Sequence, residues 1–338
     1  MLMNSSLQVS AYVPSSFAQS ASTSGLERAR SRSATLWHRI GRNAGRFSPA
    51  RFIGYGVSVA MPEIVAGNFA PFRWVIWPPG SLRIVDWNID RGLHLQAIID
   101  FLASTNADIL ILQEVDLNAR RTHRLNVAEE IARKLQMDYV FGREFEELVQ
   151  GSKAYPAYHG QVTLSKWPIS NPRLIRFSRQ SHFWQPRWFL PRIEPFQERL
   201  GGRIALVADI NVAGSKLVTY NLHLESRASD ELRLSQMEEV LSDAVRQDSQ
   251  SPLVVAGDFN LDASKDRAAS AFASAGFQEA IADPHTPTTP SHRLFEPGRR
   301  IDWAFVRGPI RAGSGRVHNQ VKASDHYPIS FALTGSRG

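Results

Sequence analysis

The chain has 338 residues, 43% of them hydrophobic, and no cysteine, which excludes a disulfide framework and thiolate metal sites and leaves ample apolar material for a large core. No apolar run approaches the roughly 20 residues of a membrane-spanning helix, so a soluble protein without an integral membrane segment is expected. The net charge of +7 is concentrated at the start: residues 1–62 carry seven Arg, no Lys and one acid, while the remainder holds 32 basic against 31 acidic residues.

Residues 1–50 are rich in Ser and Arg and lack a sustained hydrophobic period, the composition of a disordered tail; a transit peptide or a start site placed too early would read similarly. Residues 51–80 are apolar and proline-interrupted, a lead-in to which the pattern assigns no structure. A regular domain is expected over 81–335. "LRIVDWNI" reads as a strand, "HLQAIIDFLAST" as a helix, "DILILQEV" as a buried strand and "VAEEIARKLQ" as an amphipathic helix. "RIALVADINVAGSKLVTYNLHLE" is two β runs about a turn, followed by the helix "DELRLSQMEEVLSDAVRQ", the strand of "VVAGDFNLD", and two more strands in "IDWAFVRG" and "HYPISFAL". Hairpins mixed with strand–helix units imply two mixed β-sheets packed together with helices outside.

Polar residues recur where the apolar strand runs end: Asn88, Glu114, His223, Asp258, Asn260, Asp302, Asp325 and His326. Singly, each has a plain explanation as a turn former or a structural histidine. Together, if they converge, Glu114, Asp258 and Asp325 require a hard divalent cation or protons to offset the burial of like charge. On an extended chain Asp258 and Asn260 would project to the same side, two residues apart.

The series "VDWNID", "ILILQEVD", "TYNLHLES", "VVAGDFNLD", "RRIDWAFV" and "ASDHYPIS" resembles the endonuclease/exonuclease/phosphatase superfamily, over roughly residues 81–333. The resemblance implies a DNase I-like four-layer α/β sandwich and Mg²⁺- or Mn²⁺-dependent hydrolysis of a phosphodiester or phosphomonoester by in-line attack of an activated water. It further implies metal ligation by Glu114, Asn88 and Asp325, and water activation by Asp258 with Asn260. His223 and His326 would bracket the phosphate, which of them is acid and which base being open, and Asp302 would orient His326. These roles agree with what phosphoryl transfer and oxygen-liganded Mg²⁺ demand.

The same resemblance leaves the substrate open among nucleic acid, a phospholipid headgroup and a small phosphate ester, so nuclease, phosphatase and phospholipase activities are all compatible. A monomer is expected, and the cytoplasm is the favoured compartment. Gln161 stands where the family usually has Asn, which puts the transfer of that residue's role in doubt. His159 is expected at the surface or behind the site. After Glu114, "DLNARRTHRLN" offers Arg121 as a bidentate phosphate contact, or as part of a solvated loop. The segment 173–203 interleaves seven Arg with six Phe or Trp; it could stack a base, grip a phosphate or rest on a lipid surface, and packing against the domain is the plainer alternative. A catalytically silent or nucleic-acid-binding member, using the sandwich and basic tail as an interaction surface, is the competing function.

Overall fold

The computed structural model describes residues 61–71 and 80–335, apart from 190, 192, 194, 195, 263–266, 282, 284, 285 and 292–297. The Ser/Arg-rich tail expected over 1–50 lies outside the described residues, as do His285 and His292. Among the described residues, one sheet has eight strands. Its main path runs β1 (Ile64–Gly67), β4 (Asp138–Glu147), β5 (Ala157–Ser165), β3 (Ile109–Leu117), β2 (Leu82–Arg91), β14 (Ile329–Gly335) and β13 (Ile310–Val317), with β7 (Arg199–Gly201) paired to β4 off this path. The other has six, in the order β11 (Gln278–Glu279), β12 (Asp302–Arg307), β10 (Leu253–Asp258), β9 (Ser215–His223), β8 (Ile204–Val212) and β6 (Ile169–Arg176). Pairing is parallel for β2 with β3 and for β9 with β10, and antiparallel elsewhere. β1 pairs with β4, and Phe69 and Ala70 donate their amides to Asp138, so the sheet begins before Ser81.

Strand alternation sorts the apolar residues into layers. Ile84, Ile109, Ile111, Val254, Ala256, Ala304, Ile329 and Phe331 meet between the sheets. On the outer face of the first sheet, Val85, Trp87, Leu110 and Leu112 pack under α1 (Leu95–Thr105) and α2 (Val127–Leu135). On the outer face of the second, Tyr220, Leu222, Val255 and Phe305 pack under α3 (Asp230–Ala244) and α4 (Arg267–Ser274). The result is the four-layer α/β sandwich with two mixed sheets that the sequence implies. α1 buries Ile98, Ile99 and Leu102, one helical stripe, and ends at a left-handed Asn106. In α2, Asn126 caps the N-terminus by accepting the Glu129 amide, with Glu129 and Glu130 in the first turn and Arg133 and Lys134 in the last, each favourable to the helix dipole.

The hairpin joining β8 and β9 turns through left-handed Ala213 and Gly214, in agreement with the "AGS" signal. Polar groups also cross between the sheets. Gln113 donates to both Asp86 and Asn221, and Asn221 in turn donates to the carbonyls of Leu112 and Val162 on the opposite sheet. Gln161 donates to Ile204 O and accepts the Leu206 amide, so its side chain ties β5 to β8.

Gly257, within the GDFN motif, has φ +145°, and a Cβ there would lie 2.0 Å from the carbonyl oxygen of Leu222 on the parallel neighbour β9. Only glycine allows that approach. Gly257→Ala is expected to destabilise the fold by roughly 2–4 kcal/mol, read by urea denaturation, because it meets both a backbone clash and an unfavourable φ.

Candidate active site

Strand register assembles half of the site directly. In the second sheet Asp258 lies opposite His223 on β9 and opposite Asp302 on β12, so three polar side chains stand side by side on the inner face at one end of the sandwich. The strand ends at Asp258. Asn260 is therefore not brought alongside by strand alternation: it adopts φ +51°, its amide donates to Asp258 Oδ1, and its side chain donates to Leu224 O, an Asx-type turn that replaces the expected extended geometry.

The first sheet contributes through three bulges. Between Leu112 and Val115, β3 has one residue more than β5; between Asn88 and Arg91, β2 has one more than β3; between Arg143 and Phe145, β4 has one more than β5. At β3 the extra residue frees Glu114 (φ +52°) from regular alternation, whereas Asp90 (φ +43°) and Glu144 keep the inward parity of Asn88 and Gly142. At β3 the bulge lets Gln113 and Glu114 both reach the inner face while Val115 returns to the helix-side core.

Asp258 Oδ2 is the point of convergence. Asn88 Nδ2 donates to it at 3.1 Å, and Nε2 of both His223 and His326 lies 3.6 Å away. His326 is held on its other side by Asp302, whose two oxygens lie 3.0 and 2.9 Å from Nδ1. Burial alone would lower the His326 pKa, but Asp302 and Asp258 outweigh it and hold the imidazole well above its ordinary value. The loop bearing His326 is clamped to β2: Ser324 Oγ donates to Asn88 O, the His326 amide donates to Ser324 Oγ, and Trp87 Nε1 donates to His326 O.

His223 is held differently. Arg203 donates from a guanidinium nitrogen to Nδ1 at 2.7 Å, and Arg203 in turn donates to Glu144 at 2.6 Å. A guanidinium only donates, so the Arg203 contact favours Nδ1 as acceptor with the ring N–H on Nε2, facing Asp258 and, at 3.9 Å, Glu114. Glu144 Oε1 also lies 3.5 Å from Nδ1, so His223 is backed by an Arg203–Glu144 pair where His326 is backed by Asp302.

Glu114 is pulled well below the ordinary carboxylate range: burial would raise its pKa, but Arg91, His159 and His223 dominate. Arg91 lies 3.3 Å from Glu114 and also bonds Asp90. For Asp90 the balance falls the other way, with burial first and then the charge of Asp325 raising its pKa against the pull of Arg91. Asp325 itself is exposed. Asn88, Asp90, Glu114 and Asp325 therefore form a corner rich in oxygen donors, partly open to solvent, in which carboxylates repel one another and Arg91 is a partial counter-charge; this donor chemistry fits a hard divalent cation. Asp258, Asp302 and His326 also bring one ligand atom each within 4.8 Å of the others. There, however, both Asp302 oxygens already engage His326.

A second buried cluster lies behind the site. Arg121 makes a two-pronged bond to Asp116 at 2.7 Å on both oxygens and reaches Glu147 at 2.9 Å, while Arg199 approaches Glu147 at 2.9 Å and His159 Nδ1 lies 3.1 Å from Asp116. Its two carboxylates are matched by two guanidiniums, which makes it an ion-pair network and a poor cation site. Arg121 thus spends its Nε and Nη2 donors on Asp116 and Glu147 within this cluster. His159 is completely buried, in contrast to the surface position also considered from sequence. Asp90, Arg91, Glu144 and Arg203 are the site residues that sequence reasoning does not select; the spacing of Asp90 two residues after Asn88 is the one local signal.

The two-sheet α/β sandwich, with paired Asp–His groups and an acidic corner at one end, is a DNase I-like fold. The chain belongs to the endonuclease/exonuclease/phosphatase family, whose model matches residues 87–326 and whose members are generally hydrolases of phosphoesters. Similar solved structures include an endonuclease/exonuclease/phosphatase from Beutenbergia cavernae (18% identity, covering 76% of this chain and 72% of that one, TM-score 0.57). A Bacteroides vulgatus member of the same description has 18% identity, 75% and 99% coverage and TM-score 0.55. TDP2 from Caenorhabditis elegans has 18% identity, 75% and 74% coverage and TM-score 0.52. At these identities the likeness establishes the fold. Comparison with curated proteins gives no match. Among the described residues, no helix is long and apolar enough to cross a membrane.

The pKa of Glu144 is lowered to about 2, burial being outweighed chiefly by Arg203 and then His223. Its unfolded value is about 4.3, so the depressed folded pKa contributes stability that is fully present above that pH and is lost as pH falls from there towards 2. Glu144→Gln is expected to cost roughly 3 kcal/mol or more at pH 7 and to flatten the acid limb of the stability curve, as measured by denaturant titration across pH.

Proposed function

We propose that the protein is a divalent-metal-dependent phosphoesterase that hydrolyses a phosphodiester or phosphomonoester by in-line attack of water. The observation that carries this reading is the meeting of Asn88, His223 and His326 on a single oxygen of Asp258. Asn88, Glu114 and Asp325, with Asp90 beside them, are the residues that would hold Mg²⁺ or Mn²⁺. When bound, the cation supplies positive charge against the phosphate and its leaving oxygen.

The chain's own groups account for the remaining demands. Asp258 Oδ2 orients the attacking water and accepts its proton, with Asn88 fixing the carboxylate rotamer from one side and the Asn260 amide from the other. His223 presents an N–H at Nε2, set by Arg203, as a donor to a non-bridging phosphate oxygen. His326, protonated and braced by Asp302, offers a second donor and positive charge to the same group. Both Nε2 atoms lie 3.6 Å from Asp258 Oδ2, beside the attacking water, and the leaving oxygen, opposite that water in an in-line displacement, takes its proton from solvent. Asn260 completes the water site with its side-chain Oδ1, its Nδ2 being committed to Leu224 O. Gln161 and Arg121, whose groups are committed to β8 and to the Asp116 network, have no part in this scheme.

The test is hydrolysis of bis-p-nitrophenyl phosphate and p-nitrophenyl phosphate, with RNA, plasmid DNA and sphingomyelin alongside. Turnover is expected with Mg²⁺ or Mn²⁺, to vanish in EDTA, and to fall by about 10²–10⁴-fold in Asp258→Asn and in His326→Gln without loss of fold. Turnover unchanged by EDTA or by Asp258→Asn would contradict the assignment. Asp302→Asn is expected to lower kcat more than it raises KM, because it removes the brace on His326 and leaves the substrate contacts in place.

A further inference from the structure

The excursion between β6 and β8 has a buried root and an exposed crown. At the root, Gln180 exchanges hydrogen bonds with the Arg203 backbone, the Ser181 amide donates to Glu225, and the Arg199 amide donates to Trp184 O. The Arg199 guanidinium lies 5.0 Å over the Trp184 ring. Glu225 is two residues beyond His223, so the root sits against the site's flank. The crown turns its apolar groups outward: Trp188 is 97% exposed, and Phe183, Phe189, Ile193, Phe196 and Leu200 are also exposed. Trp188 and Phe189 pair edge to face, with centroids 5.7 Å apart.

Large apolar side chains gathered on a surface mark a contact site, and three features here select its partner. Arg187 and Arg227 each lie 5.8 Å over the Phe183 ring and are exposed, as is Arg179. Among the described residues of the excursion, the carboxylate of Glu198 is buried, so the crown presents positive charge with its apolar tips. Ile193 and Leu200 are aliphatic and have no face on which a base could stack, which favours hydrocarbon over nucleic acid. The sequence adds a second basic element in residues 1–62, with seven Arg and one acid. An apolar insertion combined with cationic residues is the two-signal pattern of reversible attachment to an anionic bilayer.

We propose that this crown docks the protein on an anionic lipid surface, with Trp188 and Phe189 seated at the headgroup boundary and Arg179, Arg187 and Arg227 against lipid phosphates. Anchoring at the root holds the crown in a fixed place beside the catalytic end, so docking sets that end at a defined height over the bilayer. The attachment uses none of the groups assigned to hydrolysis and stands whether or not the phosphoesterase reading does.

The experiment is cosedimentation of the full chain, in EDTA, with phosphatidylcholine vesicles and with vesicles that also contain phosphatidylserine, together with tryptophan emission. Binding to the anionic vesicles is expected, with a blue shift and a decline as salt rises. The double variant Trp188→Ser/Phe189→Ser should weaken it about tenfold or more, and Arg187→Gln/Arg227→Gln should weaken it less. Both pairs are exposed, so the thermal midpoint should stay within a degree or two of the wild type. Absence of vesicle binding by the wild type would overturn the proposal. Binding undiminished in the Trp188→Ser/Phe189→Ser variant would do the same and would move attachment to the basic N-terminal residues. A single-stranded oligonucleotide that quenches Trp188 while vesicles do not, or dimerisation lost in Trp188→Ser without vesicle binding, would also overturn it, in favour of nucleic acid or a second copy.

Discussion

Asp325 and Glu114 both raise the cost of ionising Asp90, while Asp258, Asp302 and Asp86 crowd the neighbouring inner face, and this accumulation of negative charge at one end of the sandwich is what the surrounding structure has to offset. The compensation is graded by depth. In the interior, Arg203 faces Glu144, and Arg121 and Arg199 face Asp116 and Glu147, giving pairs at 2.6–2.9 Å. One layer out, Asp302 and Asp258 flank His326 and raise its pKa well above the ordinary value against the effect of burial. At the partly open corner Arg91 bonds both Asp90 and Glu114; Glu114 is also drawn down by His159, His223 and Arg203, whereas burial and Asp325 outweigh Arg91 at Asp90, so negative charge is least well offset at the mouth. A cation or a positively assisted phosphate site belongs at such a mouth, because solvent lowers the cost of keeping carboxylates ionised there until the ion arrives.

Asp86 shows the limit of this arrangement. It is fully buried between the sheets, and burial followed by the charge of Asp302 pushes its pKa well above the ordinary value, with the Gln113 hydrogen bond opposing. Its Oδ1 accepts from Gln113, which also donates to Asn221, so the carboxyl joins the bridge that ties the two sheets. The β3 bulge serves the same end from the backbone side. A regular strand would send every second residue away from the site, and the residue inserted on β3 brings Glu114 in beside Gln113 without breaking the apolar alternation that secures the outer helices.

Local patterns made much of this legible in the sequence. Alternation and helical stripes mark β2, α1, β3 and α2, and the motif series around Asn88, Glu114, His223, Asp258, Asp302 and His326 brings together residues that the sandwich does gather at one end. What escaped were features fixed by register. Arg203 meets Glu144 across 59 residues, and neither lies in a recognisable motif, so their pairing behind His223 depends on how β4 and β8 are placed. Arg121 has the residue type for a phosphate contact, yet its guanidinium is taken by Asp116 and Glu147. Asn260 follows Asp258 at the spacing of a strand but sits in a turn, because the left-handed residue and the Asp258 cap end β10 one position earlier. β13 also went unmarked: its glycines and polar residues give no β period, and pairing with β14 defines it.

The proposed function requires that the acidic corner of Asn88, Asp90, Glu114 and Asp325 hold a divalent cation. Isothermal titration of Mn²⁺ into metal-free protein, beside Glu114→Gln and a Glu130→Gln control on the exposed part of α2, tests it without reference to any substrate. Saturable binding that survives in Glu130→Gln and weakens by about tenfold or more in Glu114→Gln is the predicted result, since losing one carboxylate ligand removes a full charge from the donor set. Equal affinity in wild type and Glu114→Gln would contradict the account.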